Sequence, residues 1–356
     1  MTRIVACVLF LAGCWNSHEI GPSPSEPDPT TPSPRDGGPP GPVPDPGPGP
    51  TPDPDPGPGP GDPPAPTPDP DPEPSPDPPG APPAPRPGTC DFRGGDLGTG
   101  GDRCDPGESR FFVVSQQAFS RVTDNRTFGF DLDGRVSDET DPRGCFVPDQ
   151  SGFDGTRGID NVLGNDLPTL ESVTGSNLDD GLRRAVQQGE VVTVLELRNL
   201  TGSILDDDCV DLYVHDAVYL SGVPVLDDTG APVAGQEIAL LEDSSRHFAA
   251  AHIVDGVLRA SGGAFPMGID ISGGKFLIDI QAAELSVDVR GGNGLVGGEL
   301  YVRDFVRGAE CSLVPFPPDL VMSVLTGAAD LRPQPSGECA AFSVQMLFSQ
   351  VVANPG

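Results

Sequence analysis

Between Gly21 and Gly88 the chain places 32 prolines in 68 residues, with Val43 as the only large apolar side chain and no aromatic. Such a segment cannot bury enough surface to offset chain entropy, so it is expected to stay unfolded. Alternating proline, as in PDPDPGPGP, favours extended polyproline II, and at ~3.1 Å per residue the stretch reaches roughly 200 Å when straight. Eleven acids against two arginines make it self-repelling. The feature divides the chain: residues 14–88 read as a disordered linker, and folding is left to residues 89–356, enough for one substantial core or two small ones.

What precedes the linker is short and apolar. Arg3 supplies a positive start, Ile4 to Ala12 an apolar run, and Gly13-Cys14 follows. The run is too short to span a bilayer, which takes roughly 20 apolar residues, and has the length of a signal-peptide core. Leu11-Ala12-Gly13-Cys14 resembles the lipobox of bacterial lipoproteins. The resemblance implies a signal peptide over residues 1–13 and a lipid-modified (palmitate-bearing) Cys14, with the membrane as a partner through that anchor. Trp15 stands where an aspartate commonly retains lipoproteins at the inner membrane, so a cell-envelope, outer-membrane location is favoured. A net charge of −32 argues against nucleic acid and anionic lipid surfaces as ligands, leaving an envelope or extracellular partner.

Apart from Cys7 and Cys14, six cysteines remain: Cys90, Cys104, Cys145, Cys209, Cys311 and Cys339. An even number in an exported chain reads as disulfides, with fifteen possible pairings. Nearest neighbours are the simplest expectation: Cys90–Cys104, Cys145–Cys209 and Cys311–Cys339. No CxxC or close Cys/His cluster supports zinc.

The folding part is patterned mainly with period two, the mark of half-buried strands. RFFVVS is the first credible strand, and VVTVLEL, KFLIDIQ, ELSVDVR and AFSVQMLFSQV follow the period-two pattern, the last with Phe342, Val344, Met346 and Phe348 on one face. Gly-Gly pairs at 273–274, 291–292 and 297–298 read as turns. Helical pattern is confined to a segment capped by Asn177 and stopped by Gly189, and to a second from Pro318 to Gly327. The expectation is a mainly β fold, an antiparallel β-sandwich of jelly-roll type with one or two short helices.

The order GFDLDG, GIDN, DDDCVDLYV, HIVDGVLRA and a C-terminal Gly-x-Cys strand resembles a group of lipoproteins of myxobacteria and related bacteria. It supports one domain over residues 89–356 and implies no activity.

The chemically richest run is FDLDGRVSDETD, residues 130–141. As a strand, TFGFDLDG would put Asp131 and Asp133 on one side, about 6–7 Å apart. Asp138 and Asp141 follow in the same loop, and DGTRGIDN adds Asp154, Asp160 and Asn161. Calcium takes six to eight oxygens, which such a set can supply, making calcium the candidate cofactor. The run resembles the aspartate-rich loops of thrombospondin type 3 repeats, although three residues rather than two separate Gly134 from Asp138. The EF-hand pattern is not met. A solvated acidic turn explains the same residues, and Asp-Gly is itself a turn signal. Paired carboxylates at about 5–9 Å would suit polysaccharide hydrolysis, but the only tryptophan is Trp15. Neither GxSxG nor HExxH occurs. His215 shares a strand face with Asp211, Tyr213 and Tyr219, which reads as a solvent-facing polar side. The function expected is a non-enzymatic binding or structural role at the envelope, with calcium stabilisation. A calcium-dependent carbohydrate-binding module and an envelope hydrolase are the alternatives.

Overall fold

A computed structural model describes residues 89–91, 101–201, 203–248, 250–271, 274–311 and 318–356. The expected signal peptide, Cys14 and the linker lie outside the described residues, as do the side chains of Cys90 and Cys311. In chain order the elements are β1 (Thr89–Asp91), β2 (Glu108–Phe119), β3 (Arg126–Thr127), β4 (Gln150–Gly152), β5 (Arg157–Ile159), α1 (Val162–Thr174) and α2 (Leu178–Gln187). They continue with β6 (Thr193–Leu200), β7 (Asp211–Tyr219), β8 (Glu237–Leu240), β9 (Arg246–Phe248), β10 (Ala250–Val254), β11 (Val257–Ile271), β12 (Gly274–Asp288) and β13 (Asn293–Tyr301). The chain closes with α3 (Val302–Cys311), α4 (Pro318–Ala328), β14 (Leu331–Pro333), β15 (Cys339–Val352) and β16 (Asn354–Pro355).

The fold is mainly β and sandwich-like. One mixed sheet runs β10-β11-β12-β13-β15-β2-β6-β7-β8-β16, with β1, β14 and β9 added beside β12, β15 and β7. Only the β1–β12 and β16–β8 pairs of this sheet are parallel. Its two ends meet. β9 pairs with β7, β10 pairs with β11, and Asp207, just ahead of β7, bridges Ile253 of β10. A separate small sheet, β3-β4-β5, carries the acidic segments.

Alternation becomes packing as expected in β15: Phe342, Val344, Met346 and Phe348 enter the main core with Leu195, Leu212 and Phe265. Each such side chain contributes about 1.5–3 kcal/mol when fully buried. The runs around Ile278–Ile280 and Leu285–Val287 join into the single strand β12. A register shift between Gln281 and Glu284, with Ala282 at φ 47°, moves the core-facing residues from even to odd positions. Gly297-Gly298 is a correction: it lies inside β13 and is no turn. A Cβ at Gly298 would stand 2.6 Å from the Gln281 carbonyl oxygen, so glycine there permits close strand approach.

The described residues include four α-helices, two more than expected. In α2 the reading holds: Asn177 caps the amide of Asp180, and Leu178, Leu182, Ala185 and Val186 form the buried stripe. The pattern of α1 is masked by Pro168, whose missing N–H leaves the Gly164 carbonyl without its helical donor; the Val122 amide takes that place at 3.4 Å. The helix α3 directly follows β13 and buries Val302, Phe305 and Val306.

Disulfide pairing is also corrected. Cys104 bonds Cys209 and Cys145 bonds Cys339, 105 and 194 residues apart, so none of the three nearest-neighbour pairs survives. The first bond ties the segment before β2 to the segment before β7; the second pins the acidic loop to the start of β15. Sheet order, not sequence proximity, brings these thiols together. Loops this long constrain the unfolded chain strongly, by about 4–5 kcal/mol each in the chain-entropy account.

Candidate metal centre

The acidic run does not form the strand that its alternation suggests. Residues 128–137 are irregular, because carboxylates take the backbone donors that a ladder would use. The amides of Leu132 and Asp133 donate to Asp160 Oδ2 at 2.6 and 3.3 Å. The Arg135 amide donates to both Asp131 and Asp133 at 3.0 Å. The loop thereby wraps around carboxylates rather than pairing with a neighbour.

The wrapping brings Asp131, Asp133 and Asp160 together, with one carboxylate oxygen of each within 4.8 Å of the others. Asp131 is exposed, Asp133 half-buried and Asp160 buried. Gly158 makes the approach possible: a Cβ there would collide with the Arg135 carbonyl and sit 3.2 Å from Asp131 Oδ2. The reverse face of β15 supports the loop from below. Gln345 Nε2 donates to the backbone oxygens of Asp160 at 2.8 Å and Phe130 at 3.3 Å. The same alternation that fills the core with Phe342 to Phe348 thus aims Gln345 at the cluster.

Other expected ligands are held elsewhere. Asp138 accepts from Thr140, Asp141 caps the turn at Pro142–Gly144 through Arg143, and Asp154 accepts from Thr156 at 3.0 Å. All three sit below the usual carboxylate range because of these local hydrogen bonds. Asn161 is occupied as the cap of α1, and its amide nitrogen donates to Ser120 and Thr127 at 2.6 Å.

Two carboxyl groups that sequence reasoning missed complete the cluster's electrostatics. Asp149 lies beside Asp160, and Asp330 is buried against Ser343. Burial first, then the charges of Asp330 and Asp149, push Asp160 up to about 9. Burial pushes Asp330 up to about 7 and raises Asp149. Contact between two carboxyl groups requires a proton or a cation between them. Among the described residues the cation engaged with the cluster is Arg135, whose guanidinium holds Asp133 Oδ2 at 2.6 Å. No signal in the sequence marks Asp149 or Asp330, which arrive from separate segments through the fold.

Beside the cluster's small sheet lies an open groove of ≈ 510 Å³ lined by Asp124, Asn125, Arg126, Phe153, Asp154 and Arg157 among others. The Phe153 ring is 49 % exposed and packs 4.7 Å from that of Phe128.

The histidine face is a further correction. His215, Asp211 and Tyr213 are buried, not solvent-facing. The backbone amides of Arg103 and Cys104 donate to Asp211, and Asp102 accepts from the Tyr213 hydroxyl at 2.8 Å, so the segment held by Cys104–Cys209 covers that side.

Comparison with protein-family models, with curated proteins and with solved structures found no match. The reading of function therefore rests on this chain's own residues.

Proposed function

We propose that this chain is a lipid-anchored envelope protein whose β domain has a binding or structural role, its acidic loop closed by a calcium ion. The observation that carries the metal is the convergence of Asp131, Asp133 and Asp160 from two loops, with Asp160 buried among further carboxylates. Hard oxygen ligands of this kind suit calcium, with backbone carbonyls and water completing six to eight positions. The ion would replace the protons that the apo cluster must otherwise hold. Anchoring rests on the lipobox-like Leu11 to Cys14 and on the proline-rich spacer, which would hold the domain away from the membrane.

A calcium-dependent carbohydrate-binding role is the second reading. It is favoured by the groove at β3–β5, where the half-exposed ring of Phe153 and the planar side chains of Arg126, Asn125 and Asp154 offer a stacking surface and hydrogen-bond partners. The hydrolase with Asp131 and Asp133 as paired carboxylates draws less support, because Asp133 is engaged by the Arg135 guanidinium at 2.6 Å.

Melting curves in EDTA and in excess calcium test the metal. At free calcium 100 times Kd, stabilisation of about 2.7 kcal/mol corresponds to a rise of about 5–10 °C. An unchanged midpoint would remove calcium from the proposal. Binding to glycans that disappears in chelator would promote the second reading. Radiolabelled palmitate incorporated in the native chain and absent in Cys14→Ser tests the anchor.

A further inference from the structure

Three side chains from three elements form a continuous relay on the outer side of β6 and β7. His215 stands between Glu196 and Ser245: its Nε2 lies 2.8 Å from Glu196 Oε2, and its Nδ1 lies 2.8 Å from Ser245 Oγ. Antiparallel pairing of β6 with β7 puts Glu196 opposite Tyr213 and two residues along from His215's own partner, Val194. Ser245 comes from the turn ahead of β9, two residues after Asp243, a non-glycine residue with φ 58°. Backbone in that region is sparsely populated and is found where the surroundings fix it.

We propose that Ser245, His215 and Glu196 form a nucleophilic triad for acyl transfer, with carboxylic esters as the substrate class. An ionised Glu196 can only accept, so His215 Nε2 carries the hydrogen and Nδ1 is left as the acceptor for the Ser245 hydroxyl. That is the direction in which a serine is activated. Glu196 is fixed in this role: its other oxygen receives Arg198 Nε at 2.7 Å. Burial opposes its charge, but the hydrogen bonds from His215 and Arg198 outweigh that, and its carboxyl sits below the ordinary range. Glu196 and His215 are buried, at 4 % and 3 % exposure, whereas Ser245 is exposed. A surface hydroxyl has water to bond at no cost, so stability does not require it to face a buried imidazole. The arrangement instead gives a solvent-accessible oxygen a proton acceptor backed by a buried anion.

In the reaction, Ser245 Oγ attacks the ester carbonyl carbon and its proton passes to His215 Nδ1. The carbon–oxygen bond to the alcohol then breaks, and the alcohol leaves with that proton. Water attacks the acyl-serine, gives a proton to Nδ1, and the carboxylic acid departs as the proton returns to Ser245. Ser245 and His215 are the catalytic residues; Glu196 is a positioning residue that fixes the tautomer. Exposed Glu242 and Asp243 precede the serine in the same turn, so neutral or cationic esters are favoured over anionic ones. The activity goes beyond the binding role and does not rest on it, since no residue of the acidic cluster takes part.

The test uses the full chain with a fluorophosphonate probe and p-nitrophenyl butyrate. The expected result is one modified residue, Ser245, with labelling and ester turnover abolished in Ser245→Ala, an exposed position whose change leaves the melting curve unaltered. Glu196→Gln should lower the maximal inactivation rate by about 100-fold or more while leaving half-saturation by the probe unchanged. EDTA should leave labelling unaffected, separating it from the calcium reading. Folded native chain that stays unlabelled at saturating probe would overturn the proposal, as would equal labelling of Ser245→Ala or a native rate in Glu196→Gln.

Discussion

The acidic loop and the buried face around β6, β7 and β9 use the same residue type to opposite effect. In the β face every buried carboxylate just described has a cationic or hydrogen-bonding partner. Arg246 reaches Asp279 at 2.9 Å and Asp216 at 3.2 Å, Arg198 holds Glu196, and Asn199 and two backbone amides hold Asp211. Burial works against Glu196 and Asp211, yet these partners keep both below the usual carboxylate range. In the acidic loop Asp160, Asp149 and Asp330 accept from neutral donors, the backbone amides of Leu132, Ser137 and Ser343 among them, and burial with like charge nearby pushes all three up. A carboxylate with its partner built in belongs to the architecture. One buried beside like charges with only neutral donors is poised to take a proton or a metal ion.

The comparison is broken most sharply by removing one carboxylate from each region. Asp279→Ala takes from Arg246, which is 1 % exposed, the nearer of its two carboxylates and should cost about 3 kcal/mol in denaturant unfolding. Asp160→Asn relieves repulsion while keeping the side-chain shape, and without calcium at pH 8 it should be neutral or stabilising. An equal loss in both variants would show that the two regions do not differ.

Next in size is the pH response. Asp160 is raised from an ordinary value near 3.8 to about 9, so between those limits the folded state holds a proton that the unfolded state has lost. Stability from this group therefore falls as pH rises through that window. Glu196 and Asp211 are lowered, so their contribution is present above their unfolded values and is lost as pH falls through their folded values. Apo protein should lose several degrees of melting temperature between pH 6 and 8.5. Calcium should flatten that slope by standing in for the proton. A flat apo profile would count against a protonated cluster.

The smallest effect concerns Arg135, the internal competitor for Asp133. Arg135→Ala frees a ligand oxygen and should tighten calcium binding about 3- to 10-fold in titration calorimetry, the equivalent of roughly 1 kcal/mol for a partly exposed pair. Weaker binding would mean that Arg135 supports the loop instead of competing within it. Peptide mapping supplies a covalent check on the frame that holds both regions. Linked peptides holding Cys104 with Cys209 and Cys145 with Cys339 are expected.

How far the site was legible depends on which residues carried it. Asp131 and Asp133 are brought together as the alternation suggests, but by a loop folded round Asp160 rather than by a strand. Asp138, Asp141 and Asp154 share the composition of metal ligands, yet their nearest donors are amides two residues on, and short Asx turns claim them first. Asp149 and Asp330 carried no local signal. Ser245 carried none either, since its partners lie 30 and 49 residues upstream on two other strands.

By itself the sequence determined where folding is possible, which faces are apolar, and that the folding part is mainly β. These follow from proline content and period-two alternation, which act within a few residues of backbone. Tertiary structure decided which cysteines meet, which carboxylates share a cavity and which acquire a cation, and that His215 lies between a buried glutamate and an exposed serine. Such outcomes depend on strand order and register. A shift of one residue in β15 would turn Gln345 into the core and Val344 toward the acidic loop. Charge and nucleophilicity are properties of that meeting, because burial and neighbours, more than residue type, set what a carboxylate or a serine can do.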